Sequence, residues 1–223
     1  MFKQLFSALA SSKGINESFD HFEEMLGHAH WMFGQAVSVL THQAPAEQVI
    51  DALYERDIRI NKLERQIRRE LVRHLTVYPG KDVGACLTLM SIAKDAERIG
   101  DYCKNVFEIG RFYKEPWGSS DFSDPLAKIQ ADVEDVFKRT IDAFHASDED
   151  AARGLIDEIG VIKEHCGQIE HALLNESHKY RTAEAVAYSL LARHCKRVAA
   201  HLGNICTALT GKVAQLGYLP DKR

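Results

Sequence analysis

The sequence has few of the features that mark secreted, membrane-spanning or nucleic-acid-binding proteins. Its five cysteines are an odd set without a Cys-x-x-Cys pair, which argues against a disulfide framework and indicates reduced thiols in a cytoplasm. No apolar run reaches the ~18 residues of a membrane-spanning helix, and the first residues lack the apolar region and cleavage site of a signal peptide. The formal charge of −4 predicts no nucleic-acid surface.

Common catalytic motifs are also missing. The chain has no phosphate-binding P-loop, no GxGxxG and no GxSxG. It has eleven histidines, yet no glutamate is followed by histidine at the third place, as ferritin-like di-iron bundles require. An ordinary enzyme is therefore not expected.

What the sequence does contain is helical periodicity. From Phe19 onward the apolar residues recur in steps of three and four, which predicts an amphipathic helix with Asn16 as its N-cap. Pro45 opens a second helix after the break "THQAP", and "VYPG" precedes a third helix from about Lys81 to about Lys114. No segment shows the sustained alternation of a β-strand.

The second half of the chain repeats this organisation. Helical segments are predicted at about 124–147, 149–179 and 181–216, after a stretch rich in proline, glycine and serine. The predicted division has four parts: an N-terminal segment 1–15, a first three-helix unit 16–114, a linker 115–123, and a second three-helix unit 124–219.

The N-terminal segment is apolar on one side if it is helical. Phe2, Leu5, Phe6 and Leu9 share a helical face, and Lys3 is the cation beside them. This pattern fits a short amphipathic helix packed on the bundle, and it also fits a helix on a membrane surface or in a partner's groove.

An internal repeat can be tested directly. Residues 92–106, "IAKDAERIGDYCKNV", align with residues 191–205, "LARHCKRVAAHLGNI", so that Arg98 meets Arg197 and Asn105 meets Asn204. The polar matches carry the argument, because apolar matches are common between any two amphipathic helices. The sequence therefore predicts an all-α fold of two tandem antiparallel three-helix bundles with six long helices.

The third helix has a ladder of polar residues. Glu97, Asp101 and Asn105 follow at four-residue steps, Glu108 extends them, and all lie opposite the apolar stripe that includes Ile92. Such residues form either a solvated face with weak ion pairs or a platform for a hard cation or ligand. Periodicity leaves both interpretations open.

The stretch "DAERIGDYCKNV" resembles the signature of the PhoU family, in which a segment like D-L-E-R-I-G-D-x-x-x-N-I lies on the third helix of a three-helix unit that occurs twice. The resemblance implies a cytoplasmic, all-helical, non-enzymatic negative regulator of phosphate uptake and signalling. It implies a phosphate transporter subunit as partner, with a membrane sensor kinase as a second one.

Some PhoU-like proteins bind iron or zinc clusters on surface E(D)xxxD motifs. By this resemblance Glu97 and Asp101 are candidate metal ligands in the first repeat. Three further carboxylates are candidate contributors: Asp57, Glu64 and Glu108. The motif residues expected to support the site are Asp95, Arg98, Asn105, Arg197 and Asn204.

The second motif departs from the family pattern. Lys196 and Ala200 stand where the family has its Glu and Asp, and neither side chain can bind a metal, so we predict that the second site is absent. His194 and His201 are seven residues apart and could hold zinc only with ligands from elsewhere.

The resulting prediction is a cytoplasmic regulator of phosphate transport that works by protein–protein contact. The predicted regulator touches the membrane peripherally through its partner and binds no nucleic acid. The sequence is also compatible with a homodimer. The alternatives are a metal-binding helical bundle, either an iron or zinc store or a redox enzyme, and a purely structural helical adaptor.

Overall fold

A computed structural model describes residues 13–115, 121–176 and 179–211. These residues form long α-helices and no strand, which confirms the predicted all-α fold of two tandem three-helix bundles. In chain order the helices are α1 Lys13–Leu40, α2 Ala46–Val77, α3 Val83–Phe112, α4 Ser123–Ala146, α5 Glu149–Glu176 and α6 Thr182–Leu209.

Helix α3 lies at the centre of the molecule. It packs against α1 and α2 of its own unit and also against α6 of the second unit. Helix α1 in turn packs against α4, so two helix pairs join the units. A helix covered on several sides has little free surface, and this arrangement decides the environment of the polar ladder on α3.

Aromatic side chains fill the seam between α1 and α4. The rings of Phe22 and Phe144 lie 4.7 Å apart between centroids, and those of Phe33 and Phe137 lie 6.4 Å apart. These distances are in the range of favourable ring pairs. The two repeats therefore share an apolar seam and are not only strung together by a linker.

The helix starts agree only in part with the sequence patterns. Pro45 is the N-cap residue of α2, with φ −71° and ψ 138°, close to the predicted start. Asn16 was predicted to cap α1, but this helix already begins at Lys13, so Asn16 lies inside the first turn and that prediction is wrong. The predicted amphipathic face of the N-terminal segment falls on residues 1–12, which lie outside the described residues.

One close approach fixes how α3 ends against α1. A Cβ atom added to Gly110 would lie 2.6 Å from both the nitrogen and the Cα of Leu40, which is closer than carbon atoms pack. Glycine is therefore required where the end of α3 meets the backbone at the end of α1.

The cysteines are core residues. Every cysteine of the chain is free, as the sequence pattern predicted, and every one is also buried: Cys86, Cys103, Cys166, Cys195 and Cys206. Burial raises the pKa of the Cys86 thiol to about 11, which makes it unreactive at neutral pH. Within the described ranges no helix is long and apolar enough to cross a bilayer.

Candidate functional site

Helix α3 turns the acidic part of its ladder toward α2. The side chain of Glu97 is only 12% exposed and that of Asp101 is 35% exposed. Glu97 is therefore not part of a solvated face, because the side of α3 opposite its apolar stripe is covered by another helix. The helical wheel gave the direction of the ladder correctly but could not show what lies opposite.

Lys94 connects the first step of the ladder to α2. Its Nζ lies 2.6 Å from Oε2 of Glu97 and 3.9 Å from Oε1 of Glu64. Glu64 is nearly buried, with 7% of its side chain exposed, and Arg68 one turn further along α2 places Nη2 2.6 Å from the same oxygen. A buried carboxylate needs such cations, since an unpaired charge in this position would be costly.

Lys104 connects the second step of the ladder, Asp101, to α2. Its Nζ lies 2.9 Å from Oδ1 of Asp57 on α2 and 2.9 Å from Oδ1 of Asp101 on α3. Burial alone would lower the pKa of Lys104, but the hydrogen bonds to Asp57 and Asp101 outweigh it, and the net pKa is raised. The ammonium group is therefore held charged between two carboxylates from different helices.

We call this set the ion-pair ridge: Asp57, Glu64, Lys94, Glu97, Arg98, Asp101 and Lys104. The structure brings the predicted ligands Glu97 and Asp101 together with the predicted contributors Asp57 and Glu64, but it places lysines between them. Arg98 stands on the outer edge, 51% exposed and 3.9 Å from both Glu97 and Asp101.

This arrangement does not fit a metal cluster as it stands. A hard cation is held by several oxygen ligands that face one point, whereas each ridge carboxylate faces a side-chain cation. In the described part of the chain, no group of three histidine, cysteine, aspartate or glutamate side chains is placed to hold a metal ion. Iron or zinc binding at Glu97 and Asp101 stays a prediction that would require Lys94 and Lys104 to move away.

Glu108 and Asn105 belong to a different surface. They line a groove of about 530 Å³ between α3 and α6, together with His194 and apolar residues such as Phe112 and Leu190. Glu108 makes no ion pair with the ridge among the described residues. A contribution of Glu108 to a metal site at Glu97 and Asp101 stays a prediction.

The second repeat has a simpler version of the ridge. Lys196 stands at the position of Glu97, and its Nζ lies 2.6 Å from Oε2 of Glu170 on α5. Arg193, which corresponds to Lys94, lies 3.6 Å from the other oxygen of Glu170. One carboxylate and two cations hold α5 to α6. The absence of a second metal site stays a prediction.

The two motif helices also contact each other directly, and the sequence patterns did not reveal this. Oδ1 of Asp95 on α3 accepts a hydrogen bond of 2.7 Å from Nδ2 of Asn204 on α6, and it lies 2.7 Å from Nδ1 of His201. The motif residues Asp95 and Asn204 therefore join the repeats. His194 and His201 lie on α6 beside the ring of Tyr102, with centroid distances of 5.8 and 5.7 Å.

A signal for this contact exists in the repeat itself. The alignment that pairs Arg98 with Arg197 also pairs Tyr102 with His201, and these two rings stack in the structure. The two repeats therefore meet at equivalent positions of their motif helices.

Known protein families identify the fold. A family model described as PhoU domain matches the chain twice, over residues 22–110 and 126–209. The chain belongs to the PhoU family. The two matches fall on α1–α3 and on α4–α6, so each three-helix unit is one PhoU domain.

Solved structures have the same architecture. The crystal structure of PhoU from Pseudomonas aeruginosa matches with a TM-score of 0.76 and 21% identity, covering 88% of this chain and 95% of that one. The phosphate transport system regulatory protein PhoU from Streptococcus pneumoniae matches with a TM-score of 0.72 and 17% identity, covering 90% and 99%. A comparison with curated protein sequences finds no match.

Proposed function

We propose that this protein regulates phosphate transport by contact with other proteins and not by catalysis. The observation that carries the proposal is the repeated PhoU domain, which accounts for both three-helix units. The solved relative from Streptococcus pneumoniae is described as a phosphate transport system regulatory protein, which supports the same role.

The proposed partner is a cytoplasmic subunit of a phosphate transporter, and a membrane sensor kinase is the second partner. The protein works in the cytoplasm and meets these partners at the membrane. Binding limits phosphate uptake, so the regulator acts negatively.

The outer edge of the ion-pair ridge is a part of the motif that a partner can reach. The guanidinium of Arg98 is half exposed and only loosely paired, at 3.9 Å, with Glu97 and Asp101. The inner lysines hold the carboxylates in place on two helices. In this proposal the inner pairs orient the edge, and Arg98 together with Asp101 contacts the partner.

The test is phosphate uptake and total cellular phosphate in a strain that lacks this protein. We expect both to rise in the deletion strain and to return to normal when the wild-type chain is supplied. Glu97→Ala/Asp101→Ala should fail to restore them, although the variant accumulates and remains helical.

A matched control is Lys128→Ala/Asp132→Ala. These residues form an exposed pair on α4, one turn apart, with 3.0 Å between Nζ and Oδ2. The control should restore normal uptake. Unchanged uptake in the deletion strain would overturn the proposed function, and restoration by the Glu97/Asp101 variant would keep the function and remove the ridge from it.

A further inference from the structure

The loop between α2 and α3 forms an exposed apolar tip. Val77 is 58% exposed, Tyr78 52% and Val83 39%. Pro79 and Lys81, between them in the chain, are also exposed. Single exposed apolar residues are common, but several at the end of one helical hairpin form a patch that suits an interface.

The single carboxylate of residues 77–83 is turned away from solvent. Oδ2 of Asp82 lies 3.1 Å from Nε2 of His74, and the two side chains are 10% and 4% exposed. The ring of Tyr78 packs beside the ring of His74, with a centroid distance of 5.2 Å. The tip therefore presents apolar groups and Lys81 to its surroundings, with its negative charge covered.

This end of the hairpin, including the tip, is strongly basic at its surface. Residues 62–91 contain six cations and three carboxylates, a formal charge of +3 in a chain whose net charge is −4. The carboxylates Glu64, Glu70 and Asp82 are at most 14% exposed. The cations are all exposed: Lys62, Arg65, Arg68, Arg69, Arg73 and Lys81.

Two of these cations stand just behind the apolar tip. Arg73 precedes Val77 by four residues and Arg69 by eight, which corresponds to about 6 and 12 Å along the helix. Neither arginine has a carboxylate partner within the described ranges. Seen from the tip, the apolar residues therefore come first, and the unpaired arginines lie behind them along α2.

We propose that this hairpin tip docks on an anionic membrane surface. Val77 and Tyr78 enter the headgroup layer, and Arg69, Arg73 and Lys81 bind lipid phosphates. A bilayer surface has the same order of layers, with phosphate groups outside and hydrocarbon beneath. A convex tip with this layering fits a flat negatively charged surface better than a protein groove. The proposal does not depend on the role in phosphate transport.

The start of α1 is the neighbouring surface of the tip, and it carries two exposed carboxylates. Oγ of Ser18 donates a hydrogen bond of 2.7 Å to Glu70, so the start of α1 lies beside the end of α2. Glu17 and Asp20 are the exposed carboxylates of this part of α1. Residues 1–12, which join the chain here, include Lys3 and no carboxylate, so they add no repulsion.

The experiment is sedimentation of the full chain with lipid vesicles at low salt. One vesicle type is phosphatidylcholine alone, and in the other about a third of the lipid is phosphatidylglycerol. We expect binding only to the anionic vesicles, with release at high salt. Arg69→Glu/Arg73→Glu and Val77→Ser/Tyr78→Ser should each lower the partition coefficient by about tenfold or more.

The matched control for Arg69→Glu/Arg73→Glu is Lys138→Glu/Arg153→Glu. It changes the net charge by the same amount, at exposed positions of the second repeat. It should bind like the wild type, and all variants should have the same helical circular dichroism. No binding of the wild-type chain to anionic vesicles would overturn the proposal, as would an equal loss in the control. If Phe2→Ser/Phe6→Ser abolished vesicle binding and both tip variants kept it, the N-terminal segment would be the binding site and the proposal would be overturned.

Discussion

The carboxylate of Asp95 on α3 and the amide of Asn204 on α6 form a hydrogen bond of 2.7 Å that joins the two PhoU domains. The same carboxylate oxygen lies 2.7 Å from His201. Asp95 belongs to the motif of the first repeat and Asn204 to that of the second. The motif residues thus divide by role, since these two hold the repeats together while Glu97 and Asp101 bind the lysines that pair α3 with Glu64 and Asp57 on α2.

The first prediction concerns this junction. Asp95→Ala should lower the free energy of unfolding by about 1–3 kcal/mol, because it leaves the partly buried donors of His201 and Asn204 without an acceptor. Urea denaturation of the full chain measures the loss. Asp132→Ala removes an aspartate from an exposed pair with Lys128 and should cost less than about 0.5 kcal/mol. Equal losses in the two variants would contradict a special role for Asp95.

The fold could be predicted from the sequence because its signals are local and repeated. Apolar residues at steps of three and four predict each helix, and the repeat predicts two similar units. Asn16 shows the limit of such signals, since a capping residue type marks a helix start only when no earlier residue continues the helix. The structure extends α1 back to Lys13, and nothing in the capping pattern excluded this.

The second prediction concerns Gly110. Gly110→Ala should destabilise the protein by about 1–3 kcal/mol, because the new methyl group would meet backbone atoms of Leu40 that cannot rotate away. Gly34→Ala is the matched control, since nothing lies within 4 Å of its added Cβ. There the change should stabilise α1 by about 0.5–1 kcal/mol through helix propensity. Thermal unfolding of both variants should therefore shift in opposite directions, and a shift of the same sign would contradict the close contact.

The third prediction concerns pH and Glu70. Its side chain is 14% exposed and accepts hydrogen bonds from Ser18 Oγ at 2.7 Å and Gln66 Nε2 at 2.9 Å, with His21 Nδ1 at 3.2 Å. Burial alone would raise the pKa of Glu70, but these hydrogen bonds outweigh it and the net pKa is lowered. A lowered pKa stabilises the folded state above the unfolded value of about 4.3, and the contribution is lost as the pH falls through the folded pKa.

Glu70→Gln should therefore lower the free energy of unfolding by about 1–2 kcal/mol at neutral pH. The difference from the wild type should shrink as the pH falls below about 5. Denaturant unfolding at a series of pH values measures it. Glu55→Gln, at an exposed position of the same helix, is the control and should change the free energy of unfolding by less than about 0.5 kcal/mol at neutral pH. A Glu70 difference that stayed constant down to acid pH would refute the assignment.

The candidate site was less predictable than the fold, for a physical reason. The four-residue spacing of Glu97 and Asp101 is a property of one helix, and the sequence shows it directly. Whether these carboxylates face solvent, a metal or a lysine depends on what the neighbouring helix supplies. Asp57 on α2 and Lys104 on α3 meet only after the helices pack, and no pattern within either helix encodes their pairing.

The last prediction separates an ion-pair role of the ridge from a metal-binding role. Lys104 is the cation that Asp57 and Asp101 share, at 2.9 Å from each. Lys104→Met removes the cation between Asp57 and Asp101, which lie on neighbouring helices. The loss should lower the free energy of unfolding by about 1–3 kcal/mol in metal-free buffer. The vacated position between two carboxylates suits a hard divalent cation.

Titration calorimetry with Mn²⁺ should therefore show at least about tenfold tighter binding to Lys104→Met than to the wild-type chain, since a divalent cation no longer competes with an ammonium group. Added Mn²⁺ should also restore part of the lost stability. Lys128→Met removes the lysine of an exposed pair with Asp132 and should change neither quantity. If the wild-type chain bound Mn²⁺ as tightly as Lys104→Met, the lysine would leave the carboxylates readily in solution. The ridge would then be a metal platform that Lys104 covers only when no metal is bound.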